Sequence, residues 1–219
     1  MKKYFYKTIL QHNEHEIPKI KWSRFIGNIF HIKNKEEAEK HIKEVSEKHK
    51  WANHNCYAYT YWTNINFDLF WQLEITADYF KQNDDWEPTN TAWKPILAQI
   101  QWHNLHNILI VITRYFWWTL LGVWWLIQAY SECAKQTILN SNLPAGRQGI
   151  KNIEITETIK ISFDYNILSN IMNLINKYEA KIDQENHGEK AEITLQINKW
   201  YLQEFKKEIF NQSKWKIKL

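Results

Sequence analysis

The chain carries five glycines and thirteen tryptophans in 219 residues. Glycine averages about 7% of ordinary proteins, which predicts roughly 15 in a chain this long. Tryptophan also stands where glycine is expected. Trp86 lies in Asp84-Asp85-Trp86-Glu87-Pro88 and Trp93 in Thr91-Ala92-Trp93-Lys94-Pro95. Both are turn contexts, where glycine supplies positive φ and an indole is strained. Trp117-Trp118 and Trp124-Trp125 are adjacent pairs around Gly122. Such doublets are rare as tryptophan and common as Gly-Gly. Many of these tryptophans therefore read as occupants of glycine positions.

Two stretches explain the pattern. DDWEPTNTAWKPIL, followed by ILIVITRYFWWTLLGVWWLIQAYSECAK, resembles the IMPACT family in its bacterial YigZ-type form. That family carries DDGEPxGTAGxPIL and VTRYFGGxxLGxGGLxRAY. Ser23-Arg24-Phe25-Ile26 and His54-Asn55-Cys56-Tyr57-Ala58-Tyr59 are similar to its SRFI and HxCYAY segments. The resemblance covers nearly the whole chain and is weaker after Ile150. Trp86, Trp93, Trp117, Trp118, Trp124 and Trp125 fall on family glycines, and Trp102 fits the same pattern. One reading is a decoding error: some bacterial lineages read UGA as glycine, and translation with UGA as tryptophan gives this sequence. The other is a protein that truly has indoles there. Asn90 replaces a usual glycine, and Leu120 and Gln128 stand where the family usually has basic residues.

Length suits one large or two small domains. Charged residues are 24% and hydrophobic residues 44%, which excludes bulk disorder. Cys56 and Cys133 are too few for a disulfide framework and suggest a reducing, cytoplasmic setting. No secretory pattern is visible in Met1 to Gln11. Ile108 to Ile127 holds one charge and could be taken for a membrane span, but Arg114 within it costs about 2.5–3.5 kcal/mol. No membrane association is expected. Net charge is +4 overall and concentrated in residues 1–50, where twelve Lys and Arg face seven Asp and Glu. That excess suits RNA or an acidic partner, or simply a solvated face.

Periodicity places strands in 17–32, 54–62 and 107–113, with a weaker strand near 70–75. Asn34 is expected to cap a helix whose buried stripe is Ala38, Ile42 and Val45. Thr91 is expected to cap a helix over 92–101, and a further helix runs over 126–139. Ser141 to Gly149, with Pro144, Gly146 and Gly149, reads as a linker. The domains expected are 1–142, a linker at 143–150, and 151–219. The second half reads strand 155–163, helix 167–177, strand 180–184, strand 191–197, helix 201–210 and strand 216–219. That βαββαβ order is a ferredoxin-like split βαβ unit. The resemblance implies the same, since the family's C-terminal domain is similar to the fifth domain of elongation factor G. For the first domain the resemblance implies a βαβ-rich fold shared with a ribosomal small-subunit domain and the GHMP kinases. The fold class expected is α/β plus α+β.

The candidate site gathers around the signature segments. Arg114 with Gly122 and restored glycines could cradle an anion, or the glycines serve only tight turns. Asp84, Asp85 and Glu87 could bind a metal or act as acid and base, or cap the loop and pair with Arg114 or Lys94. Thr91 and Tyr130 complete this list. His54-x-Cys56 could be a nucleophile or a metal site, but no second Cys or His lies at ligand spacing, and a buried strand thiol is the expectation. Tyr57, Tyr59 and Tyr61 alternate on one strand face, suited to core packing or to base stacking. Arg24 and Tyr115 would widen a basic groove. No cofactor or metal is expected. Relatives of this family are linked to control of translation, which implies a module binding RNA, the ribosome or a translation factor. The alternative is a hydrolase acting on a small anionic or peptide substrate.

Overall fold

The computed structural model describes residues 5–62, 66–67, 73–74, 78–117, 120–141 and 149–213. They divide into two compact units, 7–152 and 1–6 with 153–219. The first holds most of β1 (Phe5–Ile9), then β2 (Asn13–Glu16), β3 (Ser23–His31), α1 (Lys35–Lys48) and β4 (His54–Trp62). The two-residue β5 (Asn66–Phe67) and β6 (Leu73–Glu74) follow, then β7 (Asp78–Asn83), α2 (Trp93–Trp102), β8 (Ile108–Phe116) and α3 (Val123–Asn140). β1 pairs with β9 (Ile150–Glu154) in a two-stranded ribbon.

Five strands form one antiparallel sheet in the order β2-β3-β8-β4-β7. Helices cover both faces, which is why β8 reads as an unbroken apolar run rather than an alternating one. Its Ile108, Ile110 and Ile112 join Phe25, Ile29, Cys56 and Ala58 under α2 and α3. Its Leu109 and Val111 join Phe30, Tyr59 and the Ala38 and Val45 of α1 on the other side. Gly27 of β3 lets α3 come close: a Cβ there would lie 2.0 Å from the Thr137 Oγ1. Asn34 caps α1 as expected, accepting from the Glu37 N–H, with Glu36 and Glu37 in the first turn and Lys48 in the last.

Helix α2 is capped differently from expectation. Thr91 donates its hydroxyl back to Pro88 O at 2.6 Å, and Asp84 supplies the acceptor to the helix start. The helix ends in a Schellman turn, with Asn104 at φ 51 and Leu105 N–H donating to Ile100 O at 3.0 Å. α3 begins at Val123, three residues before the expected Leu126. β7 was not anticipated, and the expected strand at 70–75 falls mostly outside the described residues. Residues 142–148 of the expected linker also lie outside them.

The second unit runs β10 (Thr156–Phe163), a single 3-10 turn, α4 (Leu168–Lys177), β11 (Lys181–His187), β12 (Ala191–Asn198) and α5 (Leu202–Ser213). Its sheet order is β10-β12-β11, with β12 antiparallel to both neighbours. β10 and β11 are therefore parallel to each other across β12. Ile161, Phe163, Ile193 and Leu195 face Ile171, Leu174, Phe205 and Ile209 of the two helices. The expected strand over 216–219 lies outside the described residues. Together the two units make a mixed α/β molecule with several sheets.

Candidate functional site

The acidic loop after β7 is a tight turn. Glu87 N–H donates to Asp84 O at 2.9 Å, and the two central residues, Asp85 and Trp86, have φ of 45° and 68°. Positive φ at both central positions is the type I′ geometry, which favours Asn-Gly and Asp-Gly. Trp86 is 95% exposed.

Asp84 is the organiser of this loop. One carboxylate oxygen accepts from the Ala92 and Trp93 N–H groups, both at 3.0 Å, and the other from Asn90 N–H at 2.7 Å. The Ala92 and Trp93 N–H groups are orphan donors of the α2 start, so the carboxylate also sits favourably on the helix dipole. Asp85 ties the loop to β4, accepting from Asn55 N–H at 2.6 Å. Its carbonyl accepts the Nδ1 proton of His54 at 2.7 Å.

Glu87 turns inward to Arg114, which is only 2% exposed. Nη1 of Arg114 donates to Glu87 Oε1 at 2.6 Å, and Nη2 donates to Ser23 Oγ at 3.2 Å. The guanidinium lies 4.3 Å from the centre of the Phe116 ring and 5.6 Å from that of Phe25. Tyr130 of α3 donates its hydroxyl to the same Glu87 oxygen at 2.8 Å. His54 Nε2 stands 3.8 Å from that oxygen, with its ring stacked on Phe116. Burial pushes the Tyr130 phenol well above its ordinary value, which keeps it a donor. The Cys56 thiol donates to Asp84 O at 2.9 Å, and burial pushes it up too. A thiol held protonated is a poor nucleophile and a poor metal ligand.

Arg24 and Tyr115 lie on the other side of the sheet. Arg24 pairs with Tyr115 across the β3–β8 ladder, while Arg114 pairs with Phe25 one step along. Successive strand residues point to opposite faces. Arg24 forks onto Glu16 with two 2.7 Å bonds, and its guanidinium lies 5.7 Å from the centre of the Tyr115 ring. The Tyr115 hydroxyl bonds His49 Nδ1 at 2.9 Å. Tyr57 and Tyr61 are half-buried against Tyr59, which is fully buried in the core with α1. Lys94 is exposed on α2. Gly122 precedes α3, and a Cβ there would meet nothing within 4 Å.

The expected site thus divides in two. His54, Asp84, Asp85, Glu87, Arg114 and Tyr130 converge under α2 and α3, while Arg24, Tyr57 and Tyr115 belong to the α1 side. Ser23, His49 and Asn55 are partners that sequence reasoning missed. Ser23 adjoins Arg24 in a signature segment, which was the available signal. Among the described residues no group of three His, Cys, Asp or Glu is placed to hold a metal ion.

The Impact N-terminal domain profile matches residues 21–138, the stretch that contains both clusters. The chain belongs to the IMPACT family. It is 30% identical over 166 residues to the IMPACT family member YigZ of Escherichia coli K12, covering 76% of this chain and 73% of that one. It is 28% identical over 192 residues to the IMPACT family member YvyE of Bacillus subtilis strain 168, covering 88% and 79%. A crystal structure titled as that of a hypothetical protein superposes over 100% of this chain and 97% of its own with a TM-score of 0.64 at 21% identity. That likeness shows a shared fold. The IMPACT signature segments are those that supply Asp84, Asp85, Glu87 and Arg114.

Proposed function

We propose that this IMPACT protein is a cytoplasmic, translation-associated regulatory module that binds RNA or a ribosome-associated partner. The observation that carries this reading is the closed state of the signature cluster. Three backbone N–H groups occupy the two oxygens of Asp84, and Glu87 is held by Arg114 and Tyr130. An acid–base pair must reach a substrate proton; these carboxylates reach the protein's own backbone and arginine. The cluster supports a binding scaffold more than a hydrolase.

The contact face we assign is the α1 side. The Arg24–Glu16 pair is about 40% exposed, and such pairs are worth about 0–1 kcal/mol. A phosphate can replace Glu16 at small cost, with the Tyr115 ring beside it. The basic excess of residues 1–50 adds attraction. The first unit is read as the ribosomal small-subunit/GHMP-kinase-like fold. The strand order and parallel β10 and β11 of the second support a ferredoxin-like fold. No helix among the described residues is long and apolar enough to cross a membrane. We read the indoles at the six family-glycine positions as glycines of the native protein, written as tryptophan by decoding UGA with the wrong code.

Ribosome co-sedimentation of the glycine-restored chain tests the reading. Binding at low salt that falls steeply as salt rises, and is weakened by Arg24→Gln, is the expected result. Absence from ribosomes and from RNA at low salt overturns it.

A further inference from the structure

Two carboxylates stand on the edge strand β2, and each holds a cation of the α1-side face. Glu16 takes both bonds of the Arg24 fork, at 2.7 Å each. Glu14 takes the ammonium of Lys48, in the last turn of α1. The two acids are two residues apart on an extended strand, so they share a face, with Cα atoms about 6.5 Å apart. Their partners across the ladder, Asn28 and Ile26, lie on the face of β3 that carries Arg24.

We propose that Glu14 and Glu16 stand in for two successive phosphates of an RNA strand, and that RNA binds this face by displacing them from Lys48 and Arg24. The proposal rests on the α1 side being the RNA-contacting face. It adds the chemical group that is bound there and the groups that compete for the same cations.

Charge supports this assignment. Arg24 above all, and Lys19 more weakly, hold the Glu16 carboxyl below its ordinary value. Burial raises the Glu14 carboxyl, but Lys48, His49 and His12 together bring it below its ordinary value. His49 links the two pairs. Its Nδ1 meets the Tyr115 hydroxyl at 2.9 Å, and burial, then Lys48, push its imidazole down. Three permanent cations, Lys19, Arg24 and Lys48, therefore surround two carboxylates. Displacing the acids exposes a basic row.

Exposure and spacing agree with charge. The four paired side chains are 35% to 55% exposed, so a ligand reaches them. Pairs exposed to this degree add little to stability, so the fold tolerates their exchange. Arg114 offers no such exchange, being buried and held by Glu87. The spacing of the two acids is comparable to that of neighbouring phosphates on a nucleic-acid strand.

The alternative role for these pairs is to fasten an edge strand and nothing more. Fluorescence anisotropy of labelled oligouridylate with the full chain, over a range of salt, separates the two. Glu14→Gln and Glu16→Gln are each expected to tighten binding about two- to fivefold, with the urea midpoint little changed. Glu132→Gln is the charge control: its pair with Lys135 on α3 is about as exposed, and its affinity should match that of the unaltered chain. Arg24→Gln and Lys48→Gln should each flatten the slope of log affinity against log salt by about 0.7. Equal tightening by Glu132→Gln reduces the effect to net charge and overturns the proposal. Unchanged or weaker binding by the β2 variants, with RNA still bound by the unaltered chain, overturns it and leaves the α1-side reading standing. Equal tightening towards a polyglutamate peptide makes the partner an acidic protein and overturns the phosphate assignment. No RNA binding by the unaltered chain or any variant overturns the proposal and removes RNA from the reading it rests on.

Discussion

Asp84 does the work of a capping motif from a distance of eight residues in sequence. Its carboxylate reaches across the turn to the α2 start and also holds Asn90 N–H. Removing it strands three donors at once. Asp84→Ala is expected to lower stability by about 2–3 kcal/mol, read from the urea midpoint, with Asp84→Asn costing less because one acceptor remains. Thr91→Ala, by contrast, loses a bond to Pro88 O and leaves the helix start capped. Asn34 was legible in the sequence because its cap is local, three residues from Glu37. Asp84 was not, because the donors it serves are brought close only by the turn. The opposed directions of Arg24 and Arg114 were partly legible. Strand alternation puts neighbouring residues on opposite faces, but the register that sets Arg24 beside Tyr115 is a tertiary fact.

The packing of α3 on β3 depends on one missing side chain. A methyl at Gly27 would meet the Thr137 Oγ1 at 2.0 Å and the Cys133 Sγ at 3.3 Å. Gly27→Ala is expected to cost about 1–3 kcal/mol by overpacking. The same change in a Thr137→Ala background costs less, since the nearest atom is gone; equal costs in both backgrounds would place the strain elsewhere. The helix next to it carries a titration signature. Burial raises the Cys133 thiol from its ordinary 9.0 to about 12, partly offset by its hydrogen bond with Thr137. The unfolded chain then ionises near 9 while the folded one keeps its proton. Above pH 9 the unfolded state binds fewer protons, so this contribution is intact below pH 9 and lost as pH rises towards 12. Urea midpoints from pH 8 to 11 should fall less steeply for Cys133→Ala than for the unaltered chain. At this scale β4 and the buried run of β8 were readable from β-branched and aromatic density. β7, Asp78 to Asn83, was not: it is polar and takes its place by pairing with β4.

For the whole molecule, the family and the mixed α/β character were legible because the signature segments are long and ordered. The inclusion of residues 1–6 with the second unit was not, since the β1–β9 pairing joins segments far apart in sequence. The same long-range logic decides what the signature is for. Arg114 and Glu87 come from β8 and the acidic loop, Ser23 from β3 and Tyr130 from α3, so one buried cluster locks four elements of the first unit. A charge buried this way is costly to leave unpaired, about 3–5 kcal/mol when one partner is removed. The central claim is that this cluster holds the fold and that binding occurs on the opposite face. Ribosome affinity of Glu87→Gln, measured at a temperature where the variant is folded, tests that claim most directly. The account predicts a lowered unfolding midpoint with affinity unchanged. Lost affinity at unchanged stability would contradict it and make the carboxylate a contact in its own right.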